Sequence, residues 1–244
     1  VHRFYVPNLS ASRDIDLPKE EARHLARVLR LRVGDSVAVF DGRGSEALAS
    51  VRSVAPGRVG VRIIEPLTPA PEPKVAITLA QALLKSDKMD RVIRDAVMLG
   101  VVAVQPFVSH RTDLPRAAIK SGGRGARWNR TVVASVKQSG RAVVPPVRPI
   151  LEFDELLKSP AGGTRVMFVE PGAMTHASDL SALEAHRPSE AVVWIGPEGG
   201  WEEHEVESAV AAGVQIVTFG QRVLRADAAG ALAIAVLRYI WRDL

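Results

Sequence analysis

With 244 residues, 47% of them hydrophobic, the chain can bury a real core in one large or two smaller domains, which excludes a disordered protein. Cysteine is absent, which excludes disulfides and thiolate metal sites and points to the cytoplasm. The net charge is +5, and no apolar run reaches the roughly 18 residues of a membrane span, so no membrane partner is expected.

The N-terminal Val1-His2-Arg3-Phe4-Tyr5 lacks the pattern of a secretion signal. From Arg3 to Leu67 apolar residues tend to alternate, as in Val37-Ala38-Val39-Phe40 and Val59-Gly60-Val61-Arg62-Ile63, with turn signals at Asp41-Gly42-Arg43-Gly44 and Pro56-Gly57. That is a small β-rich module. Its one helical interruption, Glu20 to Leu29, puts His24, Arg27 and Arg30 within reach of one another. Four prolines in the eight residues from Pro66 to Pro73 exclude regular structure, so a linker is expected between a domain over 1–67 and another over 74–244.

Beyond the linker, strands alternate with helices. Val75 to Leu83 reads as a strand, and Met89, Val92, Ile93, Ala96 and Val97 form a helical stripe that closes at Gly100. Val101 to Val108 is a strand and Trp128 to Ser139 a helix. Between Ser109 and Arg148 nine Lys or Arg face one acid, Asp113, leaving 23 basic and 26 acidic residues elsewhere. A basic segment in an otherwise slightly acidic protein is the footprint of a polyanion binder; a solvated basic face is the alternative. Lys120, Arg124, Arg127 and Arg130 are its candidates for phosphate contact. Strands follow at Val166 to Val169, Ala191 to Ile195 and Val214 to Phe219, with helices at Glu202 to Ala212 and Ala228 to Trp241. The alternation predicts an α/β fold with a mostly parallel sheet and helices on both faces.

Gly42-Arg43-Gly44-Ser45-Glu46-Ala47 fits the dinucleotide fingerprint, but Ala47 to Val54 reads as a strand, so no helix N-terminus receives a pyrophosphate. No Walker lysine loop or nucleophile elbow is present, and His204-Glu205-Val206-Glu207 lacks the second histidine of a zinc helix; no metal is expected. Three strand exits remain: Val169-Glu170-Pro171-Gly172, Ile195-Gly196-Pro197-Glu198-Gly199-Gly200, and Phe219-Gly220-Gln221-Arg222-Val223-Leu224-Arg225. Parallel strands put all three on one edge of the sheet. There Val169, Ile195, Phe219, Val223 and Leu224 supply apolar walls, and glycines let backbone approach a ligand. Such a cleft suits an adenosine-like ligand without a triphosphate.

These three loops, with Gln138-x-x-Arg141, Arg3-Phe4-Tyr5 and His24-x-x-x-Val28-Leu29-Arg30, resemble in order and nearly over the whole chain the RsmE family of 16S ribosomal RNA (uracil-N3)-methyltransferases of the SPOUT superfamily. The resemblance implies a small PUA-like β-barrel for RNA, then a SPOUT-type α/β domain with a C-terminal deep trefoil knot, and a homodimer acting on 16S rRNA. It implies S-adenosylmethionine held by Val169, Glu170, Ile195, Gly196, Gly200, Phe219, Gly220, Val223 and Leu224, and RNA met by Arg3, His24, Arg27, Arg30, Arg111, Gln138, Arg141 and Arg225. The chain departs from the family pattern at His110, Lys137 and Asp227, where relatives favour glutamate, and in lacking the threonine that follows the last of these.

Methylation at uracil N3 requires loss of its proton and alignment with the methyl carbon. Asp227 and Glu198 are the carboxylates nearest the expected cleft and are the candidates for proton acceptor, while Arg111, Arg141, Arg222 and Arg225 are candidates to stabilise uracil oxygens. Each has an ordinary alternative, a turn or helix cap for the acids and phosphate binding for the arginines. Two competing functions are a non-catalytic ribosome-assembly protein that binds RNA, and a SPOUT enzyme acting at another RNA position.

Overall fold

The computed structural model describes residues 1–9, 12–115, 119, 123–160, 162–172 and 177–244. Lys120 lies outside the described residues. None of the described helices is long and apolar enough to cross a membrane. The chain divides into two compact units, one of Val1–Glu72 with Val133–Val144, the other of Pro73–Val132 with Pro145–Leu244. Residues 133–144 thus group with the first unit, whereas the sequence boundary assigned them to the second.

In the first unit, strands β1 (His2–Tyr5), β2 (Asp14–Asp16), β3 (Ser36–Phe40), β4 (Glu46–Ala55) and β5 (Arg58–Leu67) form one sheet in the order β1-β3-β4-β5-β2, with β1 parallel to β3 and the other neighbours antiparallel. The two-residue alternation sends Val37, Val39, Ala49, Val51, Val59 and Val61 into one core with Phe4 and Leu25. β5 runs through Pro66, opposite Ala47, so the first of the linker prolines belongs to the ladder; it stands one residue from the strand end, where a missing N–H costs little. The fingerprint-like glycines lead into β4, and Gly42, at φ +78°, has Tyr5 where its Cβ would be. The expected helix over Glu20–Leu29 is α-helical only as α1 (Lys19–Arg23), then winds as a π-turn, His24–Leu29, that stops at Arg30 in the left-handed region, φ 55°. The wider turn takes His24, Arg27 and Arg30 off regular α spacing.

The second unit carries β6 (Ala76–Ala82), α2 (Lys88–Met98), β7 (Ala103–Val108), the start of α3 (Gly123–Ser139), β8 (Leu151–Glu152), α4 (Phe153–Lys158), β9 (Thr164–Phe168), a 3₁₀ turn at Leu180–Leu183, β10 (Glu190–Ile195), α5 (Glu203–Ala211), β11 (Gln215–Val217) and α6 (Ala226–Ile240). Its sheet is parallel throughout, in the order β11-β9-β10-β6-β7-β8. One face packs Ala80, Phe107 and Trp194 against Phe153 and Leu156 of α4 and Val206 and Ala209 of α5. The other is covered by α6, which lies on β6 and β10 and packs against α2. Gly230 of α6 allows that approach, since a Cβ there would meet Gln81 Oε1 at 3.2 Å and Leu79 at 3.5 Å. The five apolar residues of the predicted stripe, Met89 to Val97, are all buried.

An ion pair ties the end of the chain to this sheet. Arg238, 2% exposed, donates to Asp243 Oδ2 at 2.7 Å and to the carbonyls of Leu99 and Gly100, each at 2.7 Å. Asp243 accepts in turn from the N–H groups of Lys74 and Val75, each at 2.8 Å, at the entry to β6.

Candidate active site

The order β11-β9-β10 makes three neighbouring parallel strands whose C-terminal exits open on one edge, as open α/β sheets arrange their ligand sites. Between those exits lies a cavity of about 300 Å³. Val169 and Glu170 line it after β9, Ile195, Gly196, Pro197 and Glu198 after β10, and Phe219, Arg222, Val223, Leu224 and Arg225 after β11. The first turn of α6 adds Ala226, Asp227 and Ala229, and the first residue of α2 adds Lys88. Phe168 and Phe219 stack with ring centroids 4.5 Å apart, closing one wall with aromatic surface.

Seven of the nine residues expected to hold the cofactor therefore face one cavity; Gly200 and Gly220 are not part of its lining. Gly200, at φ +73°, closes the β10 exit turn by donating to Pro197 O at 3.1 Å, and a Cβ there would meet Glu170 Oε1 at 3.0 Å. Gly196 has a second neighbour besides the cavity: its Cβ would lie 2.9 Å from Trp201 Cε2. Trp201 is fixed by donation from Nε1 to Phe168 O at 2.8 Å and by stacking on Phe107. The glycines of this turn are thus demanded by the protein's own packing, where the sequence suggested only clearance for a ligand.

Asp227 reaches the cavity from the positive end of α6, but its carboxylate is taken up by a two-point pair with Arg225, Nε to Oδ1 at 3.0 Å and Nη2 to Oδ2 at 3.1 Å. Burial works against its charge, but the Arg225 guanidinium, its own backbone N–H and Lys88 outweigh burial and hold the carboxyl below its ordinary value. A carboxylate held so is a weakened proton acceptor. Glu198 accepts from Lys88 Nζ at 2.9 Å and more weakly from the N–H of Lys85 at 3.4 Å. Arg111 is not part of the cavity lining: it donates from Nε to Glu202 at 2.6 Å and from Nη1 to Gly199 O at 3.3 Å, clamping the outside of the turn. Glu202 is held below its usual range by that hydrogen bond, and Arg111 is raised by the same contact.

The residues expected to meet RNA separate into two kinds. Arg3 and Arg141 are occupied inside the first unit by carboxylates and carbonyls. Arg3 forks onto Glu46 at 2.8 and 3.0 Å and onto the carbonyls of Val136 and Arg141. Arg141 is 5% exposed and binds Glu72. Arg27, Arg30 and Gln138 in the first unit, and Arg127 and Arg130 in the second, are solvent-exposed, as is Arg225; His24 is half-buried with its ring edge-on to Phe4. Arg127 also pairs with Asp90.

Two departures from the family pattern have local explanations. Lys137 pairs with Glu21 at 2.7 Å and lies 5.4 Å from the Phe4 ring centroid, so a glutamate there would meet a like charge. His110 turns its ring edge-on to His204, centroids 5.3 Å apart, and its backbone N–H donates to the buried Glu205. Sequence reasoning missed Lys88, which stands at a helix start and gave no signal beyond its place after Ser86-Asp87.

A family model described as an RNA methyltransferase domain matches residues 71–238, and one described as an RNA methyltransferase PUA domain matches residues 17–64. A protein of Synechocystis named ribosomal RNA small subunit methyltransferase E is 34% identical over 91% of this chain and 71% of its own length. The protein of that name from Bacillus subtilis is 28% identical over 90% and 88%. Among solved structures, ribosomal RNA small subunit methyltransferase E of Neisseria gonorrhoeae, bound to S-adenosyl methionine, is 39% identical and superposes with a TM-score of 0.87 over 98% of both chains. A putative methyltransferase of Legionella pneumophila in complex with the same cofactor is 25% identical, with a TM-score of 0.89 over 97% of this chain and 96% of that one.

Proposed function

The chain belongs to the RNA methyltransferase family whose members are named ribosomal RNA small subunit methyltransferase E, and from that premise we propose that it methylates N3 of a uridine in 16S ribosomal RNA, using S-adenosylmethionine. One observation carries the reading: the cavity at the exits of β9, β10 and β11 combines an apolar wall with three carboxylates, Glu170, Glu198 and Asp227. That set fits the cofactor, because the apolar side chains suit a purine and the carboxylates suit a molecule carrying a sulfonium and an ammonium. Bound there, the cofactor supplies an electrophilic methyl group. Val169, Ile195, Phe219, Val223 and Leu224 would hold its apolar part and Gly196 and Glu170 its polar edge, while Gly200 and Gly220 act by shaping the turns.

The protein's own part is to bind the RNA, align the base and take the N3 proton. Glu198 is the better acceptor, since Arg225 takes both oxygens of Asp227 and holds its carboxyl below the ordinary value, whereas the bonds Glu198 accepts from Lys85 and Lys88 both fall on Oε1. Asp227 then serves to hold Arg225 at the cavity, and Arg222 on the exposed loop is available for RNA. Arg111 positions the turn. The first unit, a PUA-like β-barrel in this reading, supplies Arg27 and Arg30 for phosphates, and the second unit is the knotted SPOUT-type domain. A homodimer is supported by α6, whose Leu232 and Tyr239 are 41% and 74% exposed. A cytoplasmic site of action follows from the substrate and agrees with a cysteine-free chain.

The decisive experiment incubates the protein with small-subunit ribosomal RNA, free or assembled, and labelled cofactor, then identifies the methylated nucleoside. Label in 3-methyluridine at one position supports the reading. Label in another nucleoside, or none with either substrate, overturns it.

A further inference from the structure

We propose that Lys88 is a catalytic residue of this site: its ammonium binds the oxygen of the target base on which negative charge collects when N3 loses its proton. The inference rests on the uridine N3 reading above and deepens it. Lys88 lines the same cavity as Glu198 and Asp227 but comes from a fourth strand exit, that of β6, which the sequence did not single out. Its Nζ lies 2.9 Å from Glu198 Oε1. An ammonium has three N–H donors, so this bond leaves two for another acceptor.

The exit of β6 is built at some cost in backbone strain. Ser86 adopts φ 57°, a left-handed conformation that a residue bearing a Cβ rarely takes, two residues before Lys88. The same short segment places the N–H of Lys85 on Glu198. Of the other cations lining the cavity, Arg225 is occupied by both oxygens of Asp227, and Arg222 lies on the exposed loop after β11. Lys88 is the cation paired directly with the proposed proton acceptor.

That pairing has a chemical use. In the resting site Lys88 is cationic and Glu198 anionic. As the N3–H bond breaks, the proton goes to a Glu198 oxygen and its electron pair stays on the ring, spread over N3, O2 and O4. Glu198 becomes neutral, so the undiminished charge of Lys88 is attracted to the base oxygen instead. Net charge in the cavity is constant, and the ammonium only exchanges one anionic partner for another, which keeps reorganisation small. Formation of the N3–methyl bond, as the methyl's bond to the cofactor sulfur breaks and leaves its electron pair on sulfur, would restore a neutral ring beside a neutral thioether product, and Glu198 would return its proton to solvent.

The test compares the full-length wild type with Lys88→Met and Lys88→Arg. Four readouts are needed: thermal stability, calorimetric affinity for S-adenosylmethionine, affinity of the cofactor-free protein for the target RNA as a function of pH, and single-turnover methyl transfer as a function of pH. Removal of one donor to a developing oxyanion commonly lowers the rate by about 10²-fold or more. Lys88→Met is therefore expected to lose on the order of 10²-fold near neutral pH, with the loss shrinking as pH rises and the base ionises unaided, while stability and cofactor affinity stay near wild type. RNA affinity should rise with pH as the base ionises in the wild type and less so in Lys88→Met. Lys88→Arg should recover part of the rate. A Lys88→Met rate within about threefold of wild type, a loss equal at every pH, or a loss matched by weaker cofactor binding or stability, overturns the inference. If the wild type leaves uridine N3 unmethylated, the functional reading falls and takes this inference with it; an active wild type beside an equally active Lys88→Met overturns the inference alone.

Discussion

The ring of Trp201 occupies the space that a side chain on Gly196 would need, with Cε2 2.9 Å from the position of a Cβ. Neither partner can yield easily: Trp201 is bonded to Phe168 O at 2.8 Å and stacked on Phe107, and Gly196 is the first residue after β10. The turn that lines the cavity is thus anchored from below by an indole.

Gly196→Ala is accordingly expected to destabilise the second unit by about 1–3 kcal/mol, the usual cost of overpacking, and to weaken cofactor binding through displacement of the turn. Denaturant melts and calorimetry check it. Unchanged stability with abolished binding would mean that the added methyl obstructs only the ligand.

Asp227 and Glu198 are distinguished by pH. Asp227→Asn should retain cofactor binding and slow methyl transfer by a factor that does not vary across neutral pH, because it only loosens Arg225. Glu198→Gln should slow it by a factor that falls as pH rises, because the base then ionises without an acceptor. Rate profiles of the two variants decide. A pH-dependent loss in Asp227→Asn alone would return the acceptor role to Asp227.

The lowered pKa of Asp227 also has a sign in folding. Its carboxyl is depressed in the folded chain, so its contribution is present above the unfolded pKa and is lost as pH falls through the folded value. The stability difference between wild type and Asp227→Asn should therefore shrink on acidification below about pH 4. Thermal melts from neutral to acid pH measure it.

Asp243→Ala is expected to be far more damaging than its place near the chain end suggests. It strips Arg238, 2% exposed, of its carboxylate and leaves the N–H groups of Lys74 and Val75 without their acceptor. Breaking a buried pair from one side costs about 3–5 kcal/mol. Urea denaturation provides the check, and a change below about 1 kcal/mol would show that the pair is dispensable.

Neutralising Arg124, Arg127 and Arg130 together with Lys120 should weaken RNA binding at every sequence and flatten the dependence of log affinity on log salt, since each lost phosphate contact removes a released counterion. An unchanged slope would identify the basic segment as a solvated face. Replacing Arg3 or Arg141 should instead lower stability, because both are occupied within the first unit.

Local features are legible in the residues alone. Period-two runs such as Val37–Phe40 and the stripe of Met89, Val92, Ile93, Ala96 and Val97 identify strands and helices because burial follows the repeat of the backbone. The three strand exits were legible for the same reason: an apolar run followed by Gly and Pro marks where a strand must end, and parallel strands end together. Their motif order was also enough for the family resemblance. Elements with little repeat escaped, as did the two-residue β8, the six-residue α4 and the π-turn after Arg23, where two or fewer turns leave no period to read.

Only the tertiary structure decided the pairings. Arg3 and Val136 are 133 residues apart, Lys88 and Glu198 110, and Arg238 and Leu99 139, and no periodicity says which of 32 basic residues meets which acid or carbonyl. Those pairings occupied Arg3 and Arg141 within the first unit, turned Arg111 into a clamp on the Gly-rich turn, took Asp227 up with Arg225, and brought Lys88 to the cavity. Residue type and local pattern determine where a charge is exposed to choice; the folded chain determines the choice, because Coulombic and hydrogen-bond energies depend on distances that the chain sets only once it has closed.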